Sequence, residues 1–208
     1  MIADLHNHTV LCNHAEGTME EYLLQAITNG TQYFGFSEHA YMDFDPGYRM
    51  KKEEMVPYEA EIGRLKEKYK DQITLLTGYE VDYLPGHMDE SVLHADVDYL
   101  IGSVHFLDGW GFDNPEFIGG YAERDIDTIW REYFEAIGRM AESRLFDIVG
   151  HLDLIKVFKF MPEKDLTATY KSTLEQIKES GMSIELNPAG LRKKIGEPYP
   201  SAELLKMA

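Results

Sequence analysis

The sequence has a single cysteine, Cys12, among 208 residues. One thiol cannot form an internal disulfide, and a chain built this way suits a reducing, cytoplasmic setting. No apolar run approaches the eighteen or more residues of a membrane-spanning helix. The opening MIADLHNHT has neither a basic nor an apolar leader region, so no secretory signal is expected. Repeats, low-complexity tracts and long linkers are missing too. Basic residues are scarce, with 20 Lys and Arg against 37 Asp and Glu, a net charge of −17. A surface this acidic repels polyphosphate backbones, which makes extended nucleic acid a poor partner. A small anion is another matter, because two or three bound divalent ions would place roughly four to six positive charges at one spot. With 44% hydrophobic residues, the chain has enough apolar material for one domain, 1–208, with a real core.

Strand-like and helix-like segments alternate. Residues 2–8, 33–39, 73–80, 98–105, 146–151 and 182–187 read as six short, largely apolar strands, as expected when both faces are covered. Thr18 with Glu21 forms a capping-box signal for a helix that Gly30 stops. Tyr58, Ile62, Leu65 and Tyr69 repeat at helical spacing, as do Ile126, Trp130, Tyr133, Ile137 and Met140, and Leu166, Tyr170, Leu174 and Ile177. A small helix is expected near 87–94, and Pro200 and Ser201 open another. Alternation of this kind implies βαβ units and parallel strands. Polar residues end almost every strand, which fits a (β/α) barrel, where all strand ends face one mouth, better than an open sheet.

Those strand ends carry the chemistry. They read His6-Asn7-His8, Glu38-His39, Gly78-Tyr79-Glu80, Ser103-Val104-His105, Gly150-His151 and Glu185-Leu186-Asn187, and His14 lies just after the first. Of eight histidines only His87 and His94 fall elsewhere. Residues i and i+2 of a strand share a face, so His6 and His8 can reach one ion together. Imidazole with carboxylate suits zinc, iron or manganese. The expected ligands are therefore His6, His8, His14, His39, Glu80, His105 and His151, and the expected cofactor is a cluster of two or three divalent ions. Such ions lower the pKa of bound water to about 7 and clamp a phosphoryl group, so no covalent nucleophile is needed. Cys12 lacks a dedicated base and reads as a small reduced thiol.

The stretches DLHNH, CNHAEGT, SEH, GYEVD, GSVHF and GHLDL resemble the PHP (polymerase and histidinol phosphatase) superfamily, and IELNPAGLRKKIGEPYPS looks like its histidinol-phosphatase branch. The resemblance implies a distorted (β/α)7 barrel in which His6, His8 and Glu80 hold one ion. It implies that Glu80 bridges to a second ion on His105 and His151, and that His14 and His39 hold a third. It also implies hydrolysis of L-histidinol phosphate in histidine biosynthesis, with Glu80, His105 and His151 at the catalytic centre. The family's closing Asp-x-His motif does not follow Asn187, so a barrel of about six strands, truncated at its C-terminus, is expected.

Around the ligands, Asp4, Glu38 and Asp153 are candidates to steady an imidazole. Arg192, favoured by the resemblance, has the planar fork that suits phosphate, with Lys156 and Asn187 as further substrate candidates. Lys193 and Lys194 read as surface charges. The aromatic stretch FLDGWGFDNPEFIGGY is either a lid or pocket wall or a packed loop. The partner is expected to be a small phosphate ester, with membranes excluded and homo-oligomerisation left open. Two alternatives stand beside the leading activity: another PHP phosphoesterase acting on nucleotides or other small esters, and a metal-binding protein without activity.

Overall fold

A computed structural model describes residues 2–208. The chain divides into two compact units, Met1–Val81 with Pro85–Ile101, and Asp82–Leu84 with Gly102–Ala208. In chain order the elements are β1 Ala3–Asp4, α1 Met19–Thr28, β2 Tyr33–His39, α2 Met55–Tyr69, β3 Thr74–Asp82, α3 Glu90–Leu93, β4 Tyr99–Ser103, β5 Phe106–Leu107, β6 Trp110–Gly111, α4 Ile126–Ser143, β7 Ile148–Val149, α5 Thr167–Ser180, β8 Ser183–Ile184 and α6 Ala202–Met207. Strands and helices alternate as the sequence leads one to expect. No described helix is long and apolar enough to cross a membrane.

In the first unit β1, β2 and β3 pair in parallel, with His39 directly opposite Glu80. Thr18 and Glu21 close the capping box on α1, which satisfies two of its free amides. The predicted stripe of α2 is buried, Tyr58, Ile62, Leu65 and Tyr69 all lying below a tenth exposed. Two tyrosines do more than fill space. Tyr58 Oη accepts from the Glu38 amide at 3.2 Å and donates to the Gly78 carbonyl at 2.9 Å. Tyr99 Oη donates to the carbonyls of Leu5 at 2.6 Å and Phe36 at 3.2 Å. Its ring lies so close to Gly78 that a Cβ there would come within 2.5 Å of it. Only glycine leaves room for this cross-strand strut.

In the second unit β7 and β8 pair in parallel, Ile148 opposite Ser183 and Val149 opposite Ile184. The Gly150 amide reaches the Gly102 carbonyl at 2.9 Å. Helix α4 buries Ile129, Trp130, Tyr133, Phe134, Ile137 and Met140, and packs along α5, which ends at Gly181 with φ +84°. The aromatic stretch after His105 is built, not loose. It contains the antiparallel hairpin β5–β6, turned by Asp108 and Gly109 at φ 52° and 82°, as an Asp-Gly hairpin turn requires. Phe112 is fully buried and meets Tyr133 edge-on at 5.3 Å, and Trp110 meets Tyr121 at 4.8 Å.

Several strands are shorter than expected. The first spans two residues in place of 2–8, because after Asp4 the Asn7 side chain donates to the Gly35 carbonyl at 3.1 Å and to Asp4 Oδ1 at 3.0 Å. The segments expected at 146–151 and 182–187 keep two strand residues each. Their remaining residues are taken by turns that carry the polar groups described next.

Candidate metal centre

In the first unit one buried carboxylate collects three imidazoles. Glu80 Oε2 lies 3.2 Å from His6 Nε2, 3.3 Å from His8 Nε2 and 3.1 Å from His39 Nδ1, and Glu80 is 1% exposed. The His14 ring stands 5.2 Å from that of His8 and 5.3 Å from that of His39. His6 and His8 thus converge although the strand ends before them, because Asn7 is tethered between them. Glu38, fully buried, holds the other side of His8: Oε1 lies 3.2 Å from His8 Nδ1 and accepts the His39 amide at 2.9 Å, while Oε2 accepts the Thr9 amide at 2.7 Å and the Thr9 hydroxyl. An ionised carboxylate cannot donate, so His8 carries a proton on Nδ1, while its Nε2 faces Glu80 Oε2 at 3.3 Å. Burial opposes a second proton on His8, but the Glu38 and Glu80 carboxylates outweigh it and raise its pKa.

In the second unit His105 Nε2 faces His151 Nε2 at 3.3 Å. His105 Nδ1 sits 2.5 Å from Asp82 Oδ1, so His105 presents the lone pair of Nε2 to its neighbour. Asp113 belongs to the same surroundings: burial raises its pKa, and His105 and His151 pull it down.

These distances fit divalent ions. Two ligand atoms bonded to one tetrahedral ion at about 2.0–2.1 Å stand roughly 3.3–3.4 Å apart. The measured separations in the two clusters are 3.1–3.3 Å. Imidazole and carboxylate together are the borderline donor set that zinc, iron and manganese accept. His6, His8 and Glu80 form one group of donor atoms close enough to share an ion.

The remaining expected residues sort differently. Asp4 accepts from Asn7, the residue between His6 and His8. His87, half-buried, pairs with Asp43, and the exposed His94 pairs with Glu90; neither belongs to the clusters. Cys12 is fully buried, and burial together with the Glu38 charge pushes its thiol up to about 12. Three expectations need correction. Lys156 is buried, and its ammonium is taken by Asp153 at 2.9 Å, the Pro198 carbonyl at 2.8 Å and Glu197 at 3.4 Å. Three donors with three acceptors make it an internal brace, not a substrate contact. Asp153 serves that brace and accepts the Ser201 amide at 2.8 Å, in place of steadying His151. Asn187 spends its side chain on the Ala189 amide at 2.8 Å and Glu185 Oε1 at 3.0 Å. Arg192 is exposed at the end of the turn Pro188–Arg192.

The sequence reading overlooked Asp82, Asp113, Glu185 and Asn7. Asp82 was findable, since it stands two residues after Glu80 in one strand and shares its face.

A family model described as the PHP domain matches residues 4–189. The chain is 39% identical, over its whole length and 81% of the relative's, to the Deinococcus radiodurans protein named "Probable histidinol-phosphatase". It resembles a Listeria monocytogenes crystal structure assigned as a histidinol phosphatase with a TM-score of 0.83 at 24% identity, over 99% of this chain and 89% of that one. A Lactococcus lactis histidinol phosphate phosphatase, solved with zinc, L-histidinol and phosphate, gives 0.79 at 20% identity, over 99% and 80%. The likeness in fold covers the α/β barrel expected from the sequence.

Proposed function

The chain belongs to the PHP-domain family, and from that premise we propose that it is a metal-dependent phosphomonoesterase that hydrolyses L-histidinol phosphate to L-histidinol and phosphate. The observation that carries the chemistry is the convergence of His6, His8 and His39 on one oxygen of Glu80. The observation that carries the substrate is the 39% identity, over the whole of this chain and 81% of the relative, to a protein named "Probable histidinol-phosphatase".

The proposed cofactor is two or three ions of zinc, iron or manganese, which His6, His8, His14, His39, Glu80, His105 and His151 would hold. When bound, the ions supply Lewis acidity toward the phosphoryl oxygens and a nucleophile at neutral pH. The chain's own work is to aim ligands and bind substrate. Glu38 and Asp82 fix the protons of His8 and His105 on Nδ1 and leave Nε2 for coordination. No side chain acts as a covalent nucleophile, and the buried, protonated Cys12 is unsuited to it. Arg192 is the proposed phosphate contact. The proposed setting is cytoplasmic histidine biosynthesis.

The test is a substrate panel on protein stripped with chelator and reloaded with zinc, manganese or iron(II). Zinc comes first because the Lactococcus protein of the same fold is described with it. We expect no turnover in the stripped protein, and turnover of histidinol phosphate at least tenfold above nucleoside monophosphates in the reloaded one. Equal or better turnover of nucleotides would sink the substrate assignment. Bound metal without hydrolysis of any ester would sink the enzyme.

A further inference from the structure

His151 is the only one of the proposed ligands with a positive φ, at 24°. For a residue with a Cβ this is a sparsely populated backbone, and it persists only where surrounding contacts impose it. The His151 amide donates to Glu185 Oε2 at 2.7 Å. Its carbonyl accepts from Tyr133 Oη at 3.3 Å and from the Leu154 amide at 2.9 Å. The amide bond is the short, charge-assisted one of the three.

Glu185 is itself held. Its amide donates to the Val149 carbonyl at 3.1 Å, which continues the β7–β8 ladder by one step. Its other oxygen accepts Asn187 Nδ2 at 3.0 Å. Asn187 is clamped in turn by Tyr199, through two backbone hydrogen bonds of 2.7 and 2.8 Å. A line of contacts therefore runs from the Asn187–Tyr199 bridge through the Glu185 carboxylate to the His151 backbone. It ends at the imidazole that faces His105 at 3.3 Å.

We infer that Glu185 is a positioning residue: its carboxylate captures the His151 amide, holds that residue in its left-handed conformation, and so aims the imidazole at the ion shared with His105. Without the capture, residue 151 relaxes toward an ordinary negative φ and its ring swings away from His105. Glu185 acts through the backbone, whereas Asp82 acts through a ring nitrogen, so the two halves of the histidine pair are aimed by different means. The acceptor oxygen is what matters, and a neutral amide oxygen at the same place can supply it.

The inference rests on His151 being a metal ligand, and the experiment separates the two claims. Stripped wild type, His151→Ala, Glu185→Ala and Glu185→Gln are titrated with zinc or manganese against a chromophoric chelator, with kcat and KM measured on the reloaded proteins. We expect His151→Ala to lose one class of metal site. Glu185→Ala should weaken that same class about 10- to 100-fold and lower kcat with little change in KM. Glu185→Gln should stay within about threefold of wild type. A change in thermal stability alone, with metal affinity intact, would make Glu185 merely structural and overturn the inference. So would Glu185→Gln failing as badly as Glu185→Ala, which would make its charge the operative property. If Glu185→Ala does not fold, a tenfold loss of metal affinity in the Gln variant is by itself refuting. Metal binding that survives His151→Ala overturns the ligand assignment, and the inference with it.

Discussion

Replacing Tyr58 by Phe removes one oxygen and leaves the ring volume unchanged, so its effect can be worked out from the contacts of that oxygen. Tyr58 is 2% exposed, and its hydroxyl both accepts from the Glu38 amide and donates to the Gly78 carbonyl. Phenylalanine leaves a buried donor and a buried acceptor without that partner. Each such group costs about 1–3 kcal/mol, and partial closure of the strands recovers some of it, so a loss of about 2–4 kcal/mol is expected. For a chain of this size each kcal/mol corresponds to about 2–4 °C in Tm, and Tm should fall by roughly 5–15 °C. The assay is calorimetry on chelator-stripped protein, because bound metal adds stability by mass action and would mask the change. Amide exchange at Glu38 should speed up in parallel. A Tm within about 2 °C of wild type, with Glu38 exchange unchanged, would refute the view that this hydroxyl is part of the scaffold behind the first cluster.

Glu80→Gln should cost bound metal as well as rate, since it removes the negative oxygen on which His6, His8 and His39 converge; elemental analysis showing wild-type metal content would contradict the cluster. Asp127, whose carboxylate accepts the Lys164 and Glu163 amides, has its pKa held below the ordinary aspartate value of 3.8 by the Lys164 amide first and the Glu163 amide next. A depressed folded-state pKa stabilises above the unfolded value and is lost as pH falls through the folded one. Asp127→Asn should therefore lower the urea midpoint at pH 7, with the gap closing as pH falls through the depressed folded-state pKa of Asp127; a gap independent of pH would show that charge plays no part.

Much of the candidate site was legible because its converging side chains obey two simple rules. Polar residues at the ends of apolar strands marked the side chains that converge, and an i, i+2 pair marked His6 with His8. The helices were legible from their apolar period, and α1 from its capping box. The polar supports were harder to read, for a physical reason. Lys156 looked available because it follows His151 by five positions, but the chain at Glu197–Tyr199 returns to cover it, and a contact 41 residues away leaves no local trace. Asn187 looked like a strand-end substrate contact, yet a turn cap competes for the same side chain. The Asp-Gly hairpin after His105 did carry a local signal, which the surrounding aromatics obscured.

The strands were read as the elements that aim the ligands, and the contacts say otherwise. The regular strands end at Asp4 before His6 and His8, at Ser103 before His105, and at Val149 before His151, and only single backbone hydrogen bonds, such as the Ser37 amide to the Asn7 carbonyl and the Gly150 amide to the Gly102 carbonyl, run past those ends. Only His39 and Glu80 sit within strands, opposite each other in the β2–β3 register. Four of the others are fixed by polar tethers anchored in the scaffold: Asn7 between His6 and His8, Glu38 on His8, Asp82 on His105, Glu185 on His151. Strand pairing sets backbone position but leaves side-chain rotamers free, and a metal site tolerates only a few tenths of an ångström of error in its bond lengths. Tethers remove the rotamer freedom that the ladder leaves. The anionic tethers also bring negative charge close to the ligands without occupying coordination positions. A chain with net charge −17 thus concentrates part of its acidity where divalent cations are to be held, while the ions in turn supply the positive field that a phosphate ester needs to approach so acidic a protein.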